Sequence, residues 1–455
     1  DKSSQSKKFY INKSSGITDG GRVEINGIDR SSCASRNAQF ILRQKAKGRE
    51  EQKPYEDRFF HFRCLQRCTK TFDPLHCFRG MLFNPKTKSE LIKMAMDIDP
   101  VRYAKTRNFI NGGVTQLSPY ISRGVLSTRE IMVVLQEKGY AWSSCETLLK
   151  ELAWRDYFQR VQQHHPDLHR KAIKQEQTGV ASEGVPLAVV QGQTGIDGID
   201  RGIQGMLDTG YMHNHQRMYT AMLCCNIGQF HWKACGDWLY YHLIDGDVAS
   251  NYCSWQWTAG AFSSKRYIAN QENINHYTDT HQKDTFLDAD YDALREMAIP
   301  KQLKVNEQWQ PFHWSLEALK EAVKGRFTEM RTKENNLPIV LYNVYQLRQE
   351  DIIQEPHHKV LLLEPSFFQQ FPVSPKVLDW ILSQATLIEG LTCFVGDWEM
   401  WSQNTTGRKT FFLEHPLFAH YQGTRLEREW MFPEVNGYYP SFFSFWKQVE
   451  KRYTW

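Results

Sequence analysis

The stretch DTGYMHNHQRMYTAMLCCNIGQFHWKACGDWLYYHLIDGDVASNYCSWQWT, residues 208–258, decides the fold and carries much of the chemistry of the chain. Asp245 and Asp247 follow an apolar pair of residues in it. Because a buried carboxylate needs a partner, we expect Arg217, on a preceding helical segment, to pair with one of them. Four indoles exceed what a plain core uses and favour a site that holds a flat redox-active ring: Trp232, Trp238, Trp255 and Trp257.

The composition bounds the class of protein. The chain has 455 residues, 41% of them hydrophobic, which is enough for two or three domains with real cores. Its net charge of +5 permits binding to a polyanion without requiring it. No run of 18 apolar residues occurs, so no membrane-spanning helix is expected. The ten cysteines follow no disulfide spacing and predict reduced thiols in an intracellular protein.

Residues 1–88 form a basic region that is poorly defined by its pattern. The first 50 residues contain eleven Lys or Arg against five Asp or Glu, which predicts a flexible or loosely packed arm. A C-x3-C-x8-C spacing matches no standard zinc or cluster pattern, so no metal site is predicted for the set His61, Cys64, Cys68, His76 and Cys77.

Residues 89–334 are predicted to be helical. One helix, expected from Cys145 to about residue 165, presents Glu151 and Trp154 within about one turn, so one face can carry both. The polar turn at residues 115–119 precedes a helix start, which is either an ordinary cap or a seat for a phosphate. Further helices are expected over residues 197–258, with breaks at Thr209-Gly210 and at Gly236, and over residues 315–332.

Residues 335–455 show a different pattern. Short apolar runs begin at Pro338, Lys359 and Thr392, and a helical pattern from Pro375 to Glu389 lies between the second and the third. Strands separated by a helix predict a small α/β domain with parallel strands. The domain boundary is therefore expected at residues 333–337.

Four blocks in this order resemble the DNA photolyase and cryptochrome flavoproteins. VTQLSPYISRGVLS at residues 114–127 is similar to the family's T-x-LSPYL-x-x-GVLS block, and ELAWRDYF at 151–158 to its ELxWREFY block. TGYMHNHQRM at 209–218 is similar to TGWMHNRxRM, and LIDGDVASN at 243–251, followed by WQW at 255–257, to LIDGDLAxN…WQW. The implied fold is a mainly α-helical FAD-binding domain, followed here by a smaller Rossmann-like, antenna-like α/β domain in an unusual order.

The resemblance implies FAD as cofactor. Arg217 and Asp245 would form an ion pair at the flavin edge, Asp247 would contact the ring system and Asn251 would lie beside flavin N5. The residues implied at the phosphates and ribitol are Tyr103, Thr115, Gln116, Leu117 and Ser118. A second, antenna chromophore stays open, since no ligand motif for it is visible.

The resemblance also implies a pocket for a flipped-out pyrimidine dimer in DNA. Trp154 and Trp257 match its stacking walls, Glu151 and Asn214 its polar contacts, and Met218 its apolar contact, as in cyclobutane-type enzymes. Enzymes of the (6-4) type are expected to have a histidine where this chain has Met218, so the cyclobutane type is favoured. The nearby His213 keeps the (6-4) type open as the less favoured alternative. The implied DNA-backbone contacts are Arg107 and His215, the latter replacing an expected arginine.

The implied activity is light-driven repair by electron transfer from excited reduced FAD, in a monomer. Trp255 and Trp232 match two members of the family's electron-transfer chain. The third member is missing, because residues 175–195, where the family has it, contain no tryptophan. Trp238, Tyr240 or Tyr241 could carry the electron transfer to the surface instead. The alternative is a cryptochrome-like blue-light photoreceptor that binds FAD, does not repair DNA and signals through an unknown partner.

Overall fold

The computed structural model describes residues 83–329, 336–405 and 407–455, which belong to one compact unit. The cysteine and histidine set at residues 61–77 lies outside the described residues, and so does most of the expected boundary at 333–337. Among the described residues, no helix is long and apolar enough to cross a membrane.

Helices make up the first part of the described chain. They are α1 Lys88–Met96, α2 Pro100–Thr106, α3 Ser118–Ser122, α4 Thr128–Glu137, α5 Trp142–His164, α6 Leu187–Gln191, α7 Asp197–Thr209, α8 Asn214–Met222, α9 Trp232–His242, α10 Val248–Ala259, α11 Gln271–Thr278, α12 Tyr291–Glu296 and α13 Leu316–Val323. A π-helical turn, Leu223–Ile227, continues α8. Two short strands, β1 Val185–Pro186 and β2 Asn306–Glu307, pair antiparallel.

Capping residues determine where several of these helices begin and end. Ser127 and Glu130 form a capping box at the start of α4, in which each side chain accepts from the other's backbone amide. Helix α7 ends where Gly210 adopts a left-handed φ of 76°, a conformation that costs a glycine little.

Two expectations for the helices are wrong. Gly236 does not interrupt the helix but lies inside α9. Its lack of a side chain serves packing, because a Cβ here would lie close to two aromatic rings of α10. The helix expected over 315–332 ends at Val323, since Gly325 turns the chain with a φ of 73° into strand β3, Thr328–Glu329.

The later part of the chain builds a six-stranded parallel sheet, which confirms the prediction of parallel strands. Its remaining strands are β4 Ile339–Tyr342, β5 His358–Leu363, β6 Leu391–Val395, β7 Thr410–Leu413 and β8 Thr424–Leu426, and the order is β3-β6-β5-β4-β7-β8. The chain moves outward from β4 to β6 and then returns to the other side of β4, so the strand order reverses between β4 and β7. All four residues of β4 are buried, as expected for a strand covered on both faces.

Helices α14 Pro365–Gln370, α15 Pro375–Ala385, α16 Trp398–Asn404 and α17 Phe442–Glu450 accompany the sheet. The sheet packs closely on the helical part. The Trp380 indole of α15 donates to the Phe83 carbonyl at 2.9 Å, and the phenol oxygens of Tyr345, after β4, and Tyr240, on α9, lie 2.7 Å apart. The carboxyl ends of the central strands therefore face the helices that carry the candidate site.

Candidate functional site

The buried ion pair between Arg217 and Asp245 is present as the sequence predicts. Nη2 of Arg217, on α8, lies 2.8 and 3.0 Å from the two carboxylate oxygens of Asp245, in the turn between α9 and α10. Only 3% of the Asp245 side chain is exposed, and Arg217 Nε also donates to the Met212 carbonyl at 2.8 Å. A pair this buried orients both groups firmly, because removing either partner leaves an uncompensated charge.

Asp247 joins two helices at the same turn. Its Oδ1 caps α10 by accepting from the Ser250 amide at 2.8 Å. Its Oδ2 accepts from Gln159 Nε2 at 2.6 Å and from Arg155 Nη2 at 3.4 Å, both on α5. Arg155 Nη1 in turn donates to Ser122 Oγ, at the end of α3, at 3.1 Å. Helices α3, α5 and α10 thus meet at one charged cluster.

Asn251, one turn into α10, points at α9. Its Nδ2 donates to the Gly236 carbonyl at 3.0 Å, which fixes the amide plane inside the protein. The contact depends on the close approach of α9 and α10 at Gly236. This glycine, expected from the sequence to interrupt the helix, therefore helps to position Asn251.

The turn at residues 115–118 has an unusual backbone. Gln116 has a φ of 55°, in the left-handed region that costs a non-glycine residue about 1–3 kcal/mol and that is concentrated at functional sites. Helix α3 follows with Leu117 as its N-cap and no side-chain capping bond. The Leu117 amide makes one long bond, to Thr115 Oγ1 at 3.4 Å. A helix start without a side-chain cap has the donor chemistry that suits a phosphate.

Glu151 and Arg107 lie together where α2 ends against α5. Arg107 Nε is 3.3 Å from Glu151 Oε1. Burial raises the pKa of Glu151, and the Arg107 guanidinium opposes this by stabilising the charged form. Burial, and secondarily the charge of Glu151, hold the pKa of the Tyr103 phenol well above its usual range. Tyr103 is therefore a neutral donor at this place.

Trp154 and Trp257 are the large rings left accessible near this cluster. Trp154, on α5, is half-buried, and one face of its indole is covered by Phe442 of α17, with centroids 3.8 Å apart and planes inclined by 11°. Trp257, near the end of α10, is 38% exposed and makes a tilted contact with Tyr267 at 6.1 Å. Both rings sit on helices that Asp247 ties together.

The start of α8 carries the remaining candidates. Asn214, its first residue, is exposed, and Met218, one turn later, is half-buried. His213 caps the helix by accepting from the His215 amide at 3.2 Å. The His215 ring is buried and stacks on Tyr277 at 4.7 Å, and burial lowers its pKa to about 4. The DNA contact expected at His215 stays a prediction and would have to use a neutral ring.

The two indoles expected to transfer electrons are both buried. Trp255 is 2% and Trp232 0% exposed. Trp232 lies edge-on to Tyr252, with ring centroids 6.2 Å apart.

Sequence reasoning missed three contributors to this site. Gln159 lies two turns beyond Glu151 on the same helix, so helical spacing could have found it. The stacking of Phe442 on Trp154 and the position of Tyr252 arise from tertiary packing, for which the sequence carries no local signal.

Comparison with known proteins gives a family for part of the chain. A family model described as the FAD binding domain of DNA photolyase matches residues 148–329. Deoxyribodipyrimidine photo-lyase of Alkalihalophilus pseudofirmus is 34% identical over 161 residues, which cover 34% of this chain and 34% of the relative. The protein of the same name from Thermus thermophilus is 30% identical over 163 residues, 35% of this chain and 38% of the relative.

The chain thus matches only about a third of the length of these curated relatives. Among solved structures, the cryptochrome of Synechocystis sp. PCC6803 is 24% identical, with a TM-score of 0.36 over 46% of this chain and 47% of that one.

Proposed function

Residues 148–329 belong to the FAD-binding domain of the DNA photolyase and cryptochrome family, and from this premise we propose that the protein repairs cyclobutane pyrimidine dimers in DNA with light. The observation that carries the proposal is the pair of accessible indoles, Trp154 and Trp257, on helices joined at Asp247. A large ring that stays 38% exposed on a mostly buried helix offers a stacking surface, and a stacked base contributes about 1–3 kcal/mol.

The donor set around Asp245 fits FAD. The ion pair of Arg217 with Asp245, together with Asn251, would hold the flavin ring, because fixed charges and amides near N1 and N5 tune its electronics. Asp247 would contact the same ring. Reduced FAD supplies the light-driven electron. The phosphates would meet the turn at residues 115–118, where α3 begins without a side-chain capping bond, and the phenol of Tyr103.

The polar edge of the dimer would meet Glu151 and Asn214. Burial raises the pKa of Glu151 and so favours its neutral form, and a neutral carboxyl can donate a hydrogen bond to a dimer carbonyl that gains negative charge. Met218, half-buried on α8, would supply the apolar contact that distinguishes this reading from (6-4) repair. Arg107 would bind a DNA phosphate beside the flipped-out dimer.

A binding measurement tests the pocket. We expect Trp257→Ala to weaken the affinity for dimer-containing oligonucleotides by about tenfold or more, because the exposed stacking surface is removed. Phe312→Ala is the matched control, since Phe312 is 48% exposed in a loop between α12 and α13. The proposal fails if the two variants bind such DNA equally well.

The second candidate is a cryptochrome-like photoreceptor that binds FAD without repair. The buried, neutral ring of His215 favours it, because this position then contributes no positive charge toward DNA. A wild-type protein that retains FAD but binds dimer-containing and undamaged DNA equally would support the photoreceptor.

We propose further that residues 335–455 are an antenna-like α/β domain of the Rossmann type. Its parallel strands and the reversal of strand order between β4 and β7 support this, because ligands bind at such a reversal. Tyr345, after β4, and His415, after β7, stack there with ring centroids 4.8 Å apart and planes inclined by 2°. Both line a small cavity of about 90 Å³, so a second chromophore would need more room than this cavity offers or would bind elsewhere on the domain.

A further inference from the structure

The phenol of Tyr252 is buried, but it is hydrogen-bonded to a carboxylate that is partly exposed to solvent. The residue lies on α10, is 3% exposed, and donates to Asp237 Oδ1 on α9 at 2.5 Å. Asp237 Oδ2 accepts from Lys233 Nζ at 2.6 Å, and 30% of the Asp237 side chain is exposed. The phenol thus faces a carboxylate that reaches the surface.

The Tyr252 ring also borders both indoles of the expected electron path. Its centroid is 6.2 Å from that of Trp232. A Cβ placed on Gly236 would lie 3.3 Å from the Tyr252 ring and 3.4 Å from the Trp255 ring, so both rings cover the same glycine. Asn251, which would lie beside the flavin, bonds to the carbonyl of that glycine at 3.0 Å.

Proton acceptors distinguish Tyr252 from its neighbours. Within the described part of the chain, the indole N–H groups of Trp232 and Trp238 find no hydrogen-bond acceptor. An oxidised indole at either position would keep its proton and its positive charge in a buried site, which is costly. The Tyr240 phenol meets another phenol, that of Tyr345, at 2.7 Å, and a phenol is a poor base. Tyr252 alone among these rings is bonded to a carboxylate.

We propose that Tyr252, with Asp237 as proton acceptor, is the terminal electron donor in the photoreduction of FAD. With FAD bound, Trp255 would give one electron to the photoexcited flavin and would be refilled through Trp232 or directly from Tyr252. Tyr252 would then lose one electron, its phenolic proton would pass to Asp237, and a neutral tyrosyl radical would remain. A thiol in solution would return one electron and one proton to this radical and become a thiyl radical, and Asp237 would release its proton to solvent. This inference rests on the proposed FAD-dependent photochemistry and replaces the missing third indole.

Transient absorption and electron paramagnetic resonance of the full chain with bound oxidised FAD test the proposal. In the wild type we expect a tyrosyl signal that changes when the tyrosine rings are deuterated, formed more slowly in D2O than in H2O. In Tyr252→Phe this signal is lost, and the light-induced charge separation decays roughly ten times faster. Tyr240→Phe, which alters the neighbouring stacked ring, should behave as the wild type.

Asp237→Asn provides a second variant that keeps a hydrogen-bond acceptor but removes the base. We expect it to lose the tyrosyl signal and the D2O effect while its flavin spectrum stays that of the wild type. The flavin spectrum of each variant also shows that the pocket is intact. A tyrosyl signal that persists in Tyr252→Phe, or equal losses in Tyr252→Phe and Tyr240→Phe, would overturn the inference.

A separate measurement distinguishes failure of this inference from failure of the proposed function. Dimer repair by wild-type protein whose FAD has been reduced chemically does not need Tyr252 as a donor. If the reduced protein repairs dimers but the oxidised protein shows no tyrosyl signal, only the donor role of Tyr252 is rejected. A tyrosyl signal without repair rejects the repair activity and leaves the donor in place.

Discussion

At the scale of single residues, the site depends on acidic groups and their cationic partners. Asp245 and Arg217 compensate each other inside the protein, whereas Glu151 has only the half-buried Arg107 beside it. The first arrangement holds both groups in a fixed geometry. In the second, burial raises the pKa of Glu151, and a carboxyl that binds its proton more tightly is better suited to donate a hydrogen bond to a dimer carbonyl.

The raised pKa of Glu151 predicts a measurable dependence of stability on pH. The pKa of Glu151 in the folded protein lies above the ordinary value of 4.5. Between pH 4.5 and that raised pKa, the folded state therefore binds the proton more tightly than the unfolded state does. The wild type should therefore lose stability relative to Glu151→Gln as pH rises through that window. Urea unfolding at a series of pH values measures the difference. Parallel curves for wild type and Glu151→Gln would contradict the account.

At the scale of elements, α17 supports one wall of the candidate pocket. Phe442 is 3% exposed and stacks on Trp154, whereas its neighbour Phe443 is 69% exposed. The two adjacent phenylalanines thus form a natural pair of test and control positions on one helix.

We expect Phe442→Ala to lower the free energy of unfolding by about 3 kcal/mol, because a buried ring is removed from a packed cluster. It should also weaken binding of dimer-containing DNA, since Trp154 loses the ring that fixes its orientation. Phe443→Ala should change stability by less than about 0.5 kcal/mol. Unfolding in urea and DNA binding measure both effects. Equal losses in the two variants, or unchanged DNA binding in Phe442→Ala, would argue against support of Trp154 by α17.

The elements also show what the sequence can predict. Apolar runs predict β4, β5 and β6, and the need to compensate buried acids predicts the ion pair of Arg217 with Asp245, because these features depend on neighbours close in sequence or on one strong electrostatic requirement. Gly236 was misread as a break because its role depends on rings from another helix. The contact between Phe442 and Trp154 joins distant parts of the chain, and no local pattern encodes it.

At the scale of the whole molecule, a chain of polar contacts connects the sheet to the candidate flavin site. Glu414, directly after β7, accepts from Arg428 Nε at 2.6 Å. Arg428 Nη1 donates to Gln159 Oε1 at 2.8 Å, and Gln159 Nε2 donates to Asp247 at 2.6 Å. The orientation of Asp247 therefore depends on residues of the C-terminal sheet region.

We expect Arg428→Ala to reduce the stability of the protein by about 3 kcal/mol, since the buried Glu414 loses its cationic partner and keeps only the amide of Gln163, at 3.1 Å. It should also lower the fraction of protein that retains FAD, because Gln159 is no longer held against Asp247. Arg425→Ala is the control, as its side chain is 63% exposed. Urea unfolding and the ratio of flavin to protein absorbance measure the two effects. Full FAD retention in Arg428→Ala would show that the sheet does not influence the site.

The most direct test of the central claim is to count pyrimidine dimers before and after illumination. The full chain with chemically reduced FAD is mixed with dimer-containing single- and double-stranded DNA, and half of each sample is kept in the dark. We predict that blue light removes dimers in the presence of the protein, that the dark samples keep them, and that Trp257→Ala removes fewer. Dimers that remain undiminished in both illuminated substrates, with FAD bound and reduced, would contradict the account.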